Sequence, residues 1–391
     1  MTIAFVVQRY GLEINGGAEL HCRWVAEHMS KYAPVEVLTS CAHDYITWRN
    51  HYPEGEEAVN GIKVRRFPVV RPRSPERFGR LQAHVLENEH REKDELAWLE
   101  EEGPTSPKLV RFIGKQQADY DEFIFFSYRY YHSYWGIHTV PDKSILVPTA
   151  EHDPVIHLKI FKDLFRMPRA FVYNSEEERR MIQALSQNQD IPGLVVGVGT
   201  EVPSIYSAER FRQKHEIFGP YIVYVGRIDE NKGCPHLFDH FLSFKRDTGS
   251  DVKLVLIGNS VLKIPLHPDI RHLGFLLEED KFDALSGAEL LVMPSFYESL
   301  SMVTLEAWAL ARPVLANAKC EVLRGQCLRS NGGLFYENYR EFREALQLLL
   351  SSDRLRAALG ENGRSYYQAN YTWEIVENKY LTILKMLGHN L

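Results

Sequence analysis

One alternation, run twice along the chain, restricts the fold more than any other feature. Short aliphatic or β-branched runs are separated by longer stretches in which apolar residues recur at helical spacing. In the first half these runs are 3–7, 35–39, 64–69, 123–126, 144–147 and 170–174. In the second they are 221–225, 252–257, 270–273, 290–293 and 313–316. A strand reached through a crossover helix pairs in parallel with its predecessor, so each series predicts a parallel sheet with helices on its faces. The class is therefore α/β, with two Rossmann-like domains. A length of 391 residues agrees, since a domain usually holds roughly 100 to 200. Two glycines and a proline in Gly197-Val198-Gly199-Thr200-Glu201-Val202-Pro203 mark the boundary. The expected domains are 1–200 and 201–371, and 372–391 is expected to form a helix packing back on the first. Segment 81–102, charged and without Pro or Gly, reads as one exposed helix.

Composition removes several classes. No apolar run approaches the roughly 20 residues that cross a bilayer. No secretory pattern opens the chain, so a cytoplasmic location is expected. A net charge of -6 argues against nucleic acid as partner. Five cysteines without a C-x-x-C pair read as free, buried thiols. One local exception is the run 63–80, where Lys63, Arg65, Arg66, Arg71, Arg73, Arg77 and Arg80 are opposed in sequence by Glu76 alone. It reads as a stiff solvated loop, or else as a peripheral contact to anionic lipid or to a phosphate-bearing acceptor.

Three segments carry chemistry. Strand Ile3–Val7 leads through Gly11 to Gly16-Gly17-Ala18-Glu19 and a helix, a glycine loop whose amides at a helix start favour an anion. It lacks the G-x-G-x-x-G of dinucleotide sites. Strand Tyr221–Val225 delivers Arg227 and, five residues on, Lys232 before Gly233; two cations at one strand end suit a diphosphate. In Glu298-Ser299-Leu300-Ser301-Met302-Val303-Thr304-Leu305-Glu306 the two glutamates are eight residues apart. On one helix they would lie about 12 Å apart along the axis and about 80° around it, so they cannot share a face. With Glu298 in a loop and Glu306 inside a helix, the helix start between them is a diphosphate seat.

Taken in order, NGGAE, VGRIDENKG, LVLIGNS, HLGF and PSFYESLSMVTLEA resemble family 4 of the retaining glycosyltransferases, over essentially the whole chain and most strongly over 221–337. The resemblance implies the GT-B architecture: two Rossmann-like domains with parallel sheets facing across a cleft, and a C-terminal helix crossing back. It implies a retaining hexosyltransferase using a nucleotide sugar, UDP-glucose or a related UDP-sugar, with a saccharide or lipid-linked saccharide acceptor in polysaccharide biosynthesis. No cofactor and no metal are expected. Glu298 would bind the donor sugar, Glu306 the ribose, Arg227 and Lys232 the diphosphate, and Ser299, Leu300, Ser301 and Met302 the phosphates and sugar through their backbone. Gly274 and Phe275 match the segment that receives the base. Gly16 and Gly17 would face the diphosphate from the other domain, and His152 in Thr149-Ala150-Glu151-His152-Asp153 would lie near the reacting carbon. Ser175 in Asn174-Ser175-Glu176 would cap a helix. The run Ser299-Leu300-Ser301-Met302-Val303 departs from the small-residue stretch that many members carry. Two rival functions are a non-hydrolysing nucleotide-sugar epimerase and a non-catalytic nucleotide-sugar-binding subunit.

Overall fold

The structure is a computed structural model that describes residues 1–389. Asn390 and Leu391, the last positions of the expected 372–391 helix, lie outside the described residues. The chain divides into two compact units, one made of residues 1–198 with 376–391 and the other of residues 199–375.

In the first unit, strands β1 (Ile3–Val7), β2 (Val35–Ser40), β3 (Gly55–Val59), β4 (Ile62–Phe67), β5 (Glu122–Phe126), β6 (Ser144–Val147), β7 (Ala170–Tyr173) and β8 (Gly193–Val195) form one sheet in the order β3-β4-β2-β1-β5-β6-β7-β8. All neighbours are parallel except β3 with β4. Strands β1 and β5 are fully buried, which is why they read as unbroken apolar runs rather than as alternations. Helix Trp373–Met386 ends in this unit: Glu377 accepts from Lys31 Nζ (2.8 Å) and Tyr32 Oη (2.6 Å) and lies 2.5 Å from His28 Nδ1. Val376, Tyr380, Ile383 and Leu384 are buried.

Two expectations for this unit need correction. Segment 81–102 is not one exposed helix but parts of two, Pro75–Glu87 and Glu92–Glu102, and the second is largely buried. Trp98 and Leu99 join the core, and the acidic residues point inward because each has donors waiting. Glu95 accepts from the amides of Lys159 (3.2 Å) and Ile160 (2.9 Å), and Glu101 from the amide of Ser74 (2.9 Å). Glu102 pairs with Arg73 (3.0 Å) and Arg129 (2.8 Å). Nor is the basic run 63–80 opposed by Glu76 alone. Lys63 and Arg65 pair with Glu36 and Glu56, Arg66 with Glu57, Arg71 and Arg77 with Glu101, and Arg80 with Glu76. The carboxylates arrive from other strands and helices, so counting charge along the chain missed them.

The second unit holds β9 (Tyr221–Val225), β10 (Lys253–Ile257), β11 (Ile270–His272), β12 (Leu290–Met293), β13 (Val314–Asn317) and β14 (Gly333–Tyr336), all parallel, in the order β11-β10-β9-β12-β13-β14. Strand order reverses beside β9, with β10 on one side and β12 on the other. In open α/β sheets the carboxyl ends of strands flanking such a point form the ligand crevice. Among the described residues no helix is long and apolar enough to cross a membrane. All five cysteines are free and buried.

Candidate functional site

In the second unit, four sequence-predicted elements converge at the carboxyl edge around β9. Gly226 (φ 151°) and Gly258 (φ 134°) follow β9 and β10, and a Cβ on Gly258 would sit 2.0 Å from the Gly226 carbonyl oxygen. Only glycine lets the two strand ends approach so closely. Gly233 (φ 69°) plays the same part between the loops after β9 and β12, since its Cβ would meet the Pro294 carbonyl oxygen at 2.1 Å. That seam carries side chains with it. Lys232 Nζ donates to Glu298 Oε1 (2.8 Å), the Lys232 amide donates to Asp229 Oδ1 (2.8 Å), and Arg227 Nε donates to Asp229 Oδ2. The predicted cations and the first glutamate are therefore together, with Asp229 holding the Arg227 guanidinium and the backbone of Lys232.

Helix Met302–Ala309 begins where the seat was expected. Ser301 precedes it in the left-handed region (φ 69°), and its hydroxyl lies 2.9 Å from that of Thr304. Leu300 is buried, while Ser299 and Met302 are half-buried. Glu306 is buried inside this helix, separated from Glu298 by the helix start as anticipated. Burial pushes its carboxyl up from the ordinary range, and Lys281, 2.8 Å away, draws it back. Lys281, in helix Glu278–Gly287, was missed by sequence reasoning; the available signal was one lysine followed by Phe282, Ala284 and Leu285, all buried. Gly274 (φ 70°) lies in the turn after β11, and its carbonyl accepts from the Gly258 amide (2.7 Å). Phe275 beside it is 53% exposed, leaving a large apolar ring uncovered at the same edge.

The first unit carries the other predicted residues. Gly16 caps helix Gly17–Met29, and a Cβ on it would meet Glu19 Oε2 at 2.2 Å. Glu19 is buried and takes two bonds from Arg9, at 2.5 and 2.8 Å. Gly16 thus packs directly over an internal ion pair. His152 is exposed, its ring 5.8 Å from that of His157. Neighbouring Asp153 accepts from Arg129 Nη1 (3.2 Å) and from the Ile156 amide (3.3 Å); burial raises its carboxyl and Arg129 opposes the rise. Ser175 caps its helix by accepting from the Glu178 amide (3.2 Å).

Solved structures that align end to end share the fold. Sucrose-phosphate synthase from Thermosynechococcus elongatus superposes with a TM-score of 0.72 at 17% identity, covering 99% of this chain and 98% of that one. Anabaena HepE, solved with UDP and glucose, gives 0.70 at 14%, covering 98% and 99%. The fold is that of the GT-B glycosyltransferases.

Sequence comparison agrees with the fold. Residues 207–366 match the model of glycosyl transferases group 1. Among curated relatives, the alpha-D-kanosaminyltransferase of Streptomyces kanamyceticus is 28% identical over 186 residues, 43% of this chain and 46% of that protein. The chain spans about half the length of the curated relatives it matches.

Proposed function

We propose that the chain is a retaining hexosyltransferase that moves a sugar from a nucleotide donor, UDP-glucose or a related UDP-sugar, to a saccharide or lipid-linked saccharide acceptor in polysaccharide or glycolipid biosynthesis. The observation that carries this reading is the meeting of Lys232 and Glu298 at one sheet edge, beside Arg227 and the start of helix Met302–Ala309. Cations and helix amides at one place match a leaving diphosphate, whose charge grows as the bond to the sugar breaks. The Glu298 carboxylate matches sugar hydroxyls. HepE, which shares the fold, was solved with UDP-glucose, and this supports a uridine donor.

In the proposed step the bond from anomeric carbon to diphosphate oxygen breaks while the acceptor oxygen bonds to the same face of that carbon. The acceptor proton passes to the departing oxygen, so no protein base and no metal are needed. Gly16, Gly17 and His152 are proposed for the roles that the family resemblance implies. A cytoplasmic location goes with this reading. Contact with anionic lipid through residues 63–80 finds no support in a run whose seven cations are all ion-paired.

Calorimetric titration with UDP, GDP and ADP, then UDP-glucose and GDP-mannose, each with and without EDTA, tests the proposal. Metal-independent binding of one nucleotide series, abolished by Glu306→Ala, is expected. Absence of binding to all of them refutes it. Donor binding without transfer would favour the binding subunit, and an epimer formed from donor alone the epimerase.

A further inference from the structure

Helix Glu278–Gly287 turns one lysine inward. Lys281 Nζ lies 2.8 Å from Glu306 Oε1 and 2.9 and 2.8 Å from the two oxygens of Glu278. Lys281 is 9% exposed and Glu306 4%, and Phe282, Leu285, Ala307 and Trp308, which lie near them along the same two helices, are apolar and buried. A buried ion pair is a poor stabiliser, because an apolar pair of equal volume commonly serves a core as well or better. Its presence here calls for another reason. The geometry supplies one, since Lys281 engages Oε1 of Glu306 and not Oε2.

We propose that Lys281 is a positioning residue for Glu306, fixing Oε1 so that the carboxylate is presented through Oε2 to the vicinal hydroxyls of the donor's ribose. This rests on the donor-binding reading above. Acceptance of two hydroxyls requires an ionised carboxylate, since a protonated one surrenders an acceptor site. The charged and titratable groups facing Glu306 are Lys281 and Glu278 from helix Glu278–Gly287 and Tyr367 from helix Asp353–Asn370. Tyr367 donates its hydroxyl to the Thr200 carbonyl (2.8 Å), and Glu278 repels. Lys281 is the cation among them, and it opposes the upward push of burial on Glu306. Glu278 holds the ammonium from its other side.

The test is the pH dependence of UDP and GDP affinity, measured by calorimetry between about pH 6 and pH 8.5. The terminal phosphate of the nucleotide itself ionises at about pH 6, so each affinity is read as a ratio to wild type at the same pH, and a flat profile means a constant ratio. In Lys281→Met the nucleotide should bind roughly tenfold more weakly at the acid end and recover as pH rises, because a buried carboxyl without its cation titrates upward. Lys281→Arg should restore the flat profile, Glu306→Gln should be weak at every pH, and Glu278→Gln should remain flat. A flat Lys281→Met profile within about twofold of wild type, with Glu306→Gln still weak, overturns this proposal and leaves the donor reading standing. Binding of neither nucleotide to the wild type overturns both. If Lys281→Met does not fold, the other variants decide: a pH-dependent loss in Glu278→Gln, or a failure of Lys281→Arg to bind, refutes it.

Discussion

Because Lys232 is already engaged by Glu298 at 2.8 Å, a diphosphate arriving at this edge must compete with a carboxylate of the protein. The side chains are 26% and 12% exposed, so the pair lies between the surface and buried limits. An exposed pair is worth at most about 1 kcal/mol, and about that much is a fair figure here. Replacing Glu298 with Gln removes the charge while keeping an acceptor of the same shape. UDP, which brings no sugar for Glu298 to hold, should then bind about fivefold tighter, the equivalent of about 1 kcal/mol. Transfer of sugar should fall by roughly a hundredfold or more, because a carboxylate that hydrogen-bonds the reacting sugar is lost. Lys232→Met should act in the opposite sense on UDP, weakening it about 10- to 100-fold as a charge-assisted bond disappears. Calorimetry at low ionic strength, paired with a transfer assay, reads both quantities. If Glu298→Gln leaves UDP binding unchanged or weakens it, Lys232 is not shared between the glutamate and the phosphate, and the reasoning fails.

Two further outcomes follow from geometry. Gly233→Ala forces a side chain into the left-handed region and against the Pro294 carbonyl, which cannot rotate away, so a loss of roughly 3 kcal/mol is expected, read as a fall of about 6–12 °C in Tm. Unchanged Tm would mean that the loops after β9 and β12 part easily. Burial alone would raise the Glu377 carboxyl, but bonds from Lys31, Tyr32 and His28 outweigh it and carry it from an ordinary 4.5 down to about 2. A depressed carboxyl stabilises the fold above its unfolded value and loses that contribution as pH falls through the folded one. Glu377→Gln should therefore cost at most about 3 kcal/mol at neutral pH and progressively less below about pH 4.5, as urea melts at several pH values would reveal. A cost that does not shrink toward acid would refute the account.

The sequence was most legible where burial is complete. Strands β1, β6, β9 and β12 lie where their apolar runs lie, since a strand covered on both faces has no polar position to blur it. Strand β3 was missed because Gly55-Glu56-Glu57-Ala58-Val59 is an exposed edge with little apolar content; the clue lay in Asn60-Gly61, both at positive φ, the signature of a tight hairpin. Strands β8 and β14 are short and only partly buried. In the site, Arg227, Lys232, Glu298 and Glu306 were legible because their types and spacing speak of phosphate and hydroxyl chemistry. Lys281, Asp229 and the partners of the 63–80 cations were not, because each acts on a residue distant in sequence or is masked by an ordinary charged context.

The first unit is closed by residues from both ends of the chain, with 199–375 lying between them. During synthesis the surface formed by His28, Lys31 and Tyr32 must wait for Glu377, roughly 180 residues behind the end of β8. At about 5–20 residues per second that delay is on the order of 10–35 s. A nascent chain passes this interval with its opening helix uncovered on one side, a window in which a chaperone or a protease can reach what the finished protein hides.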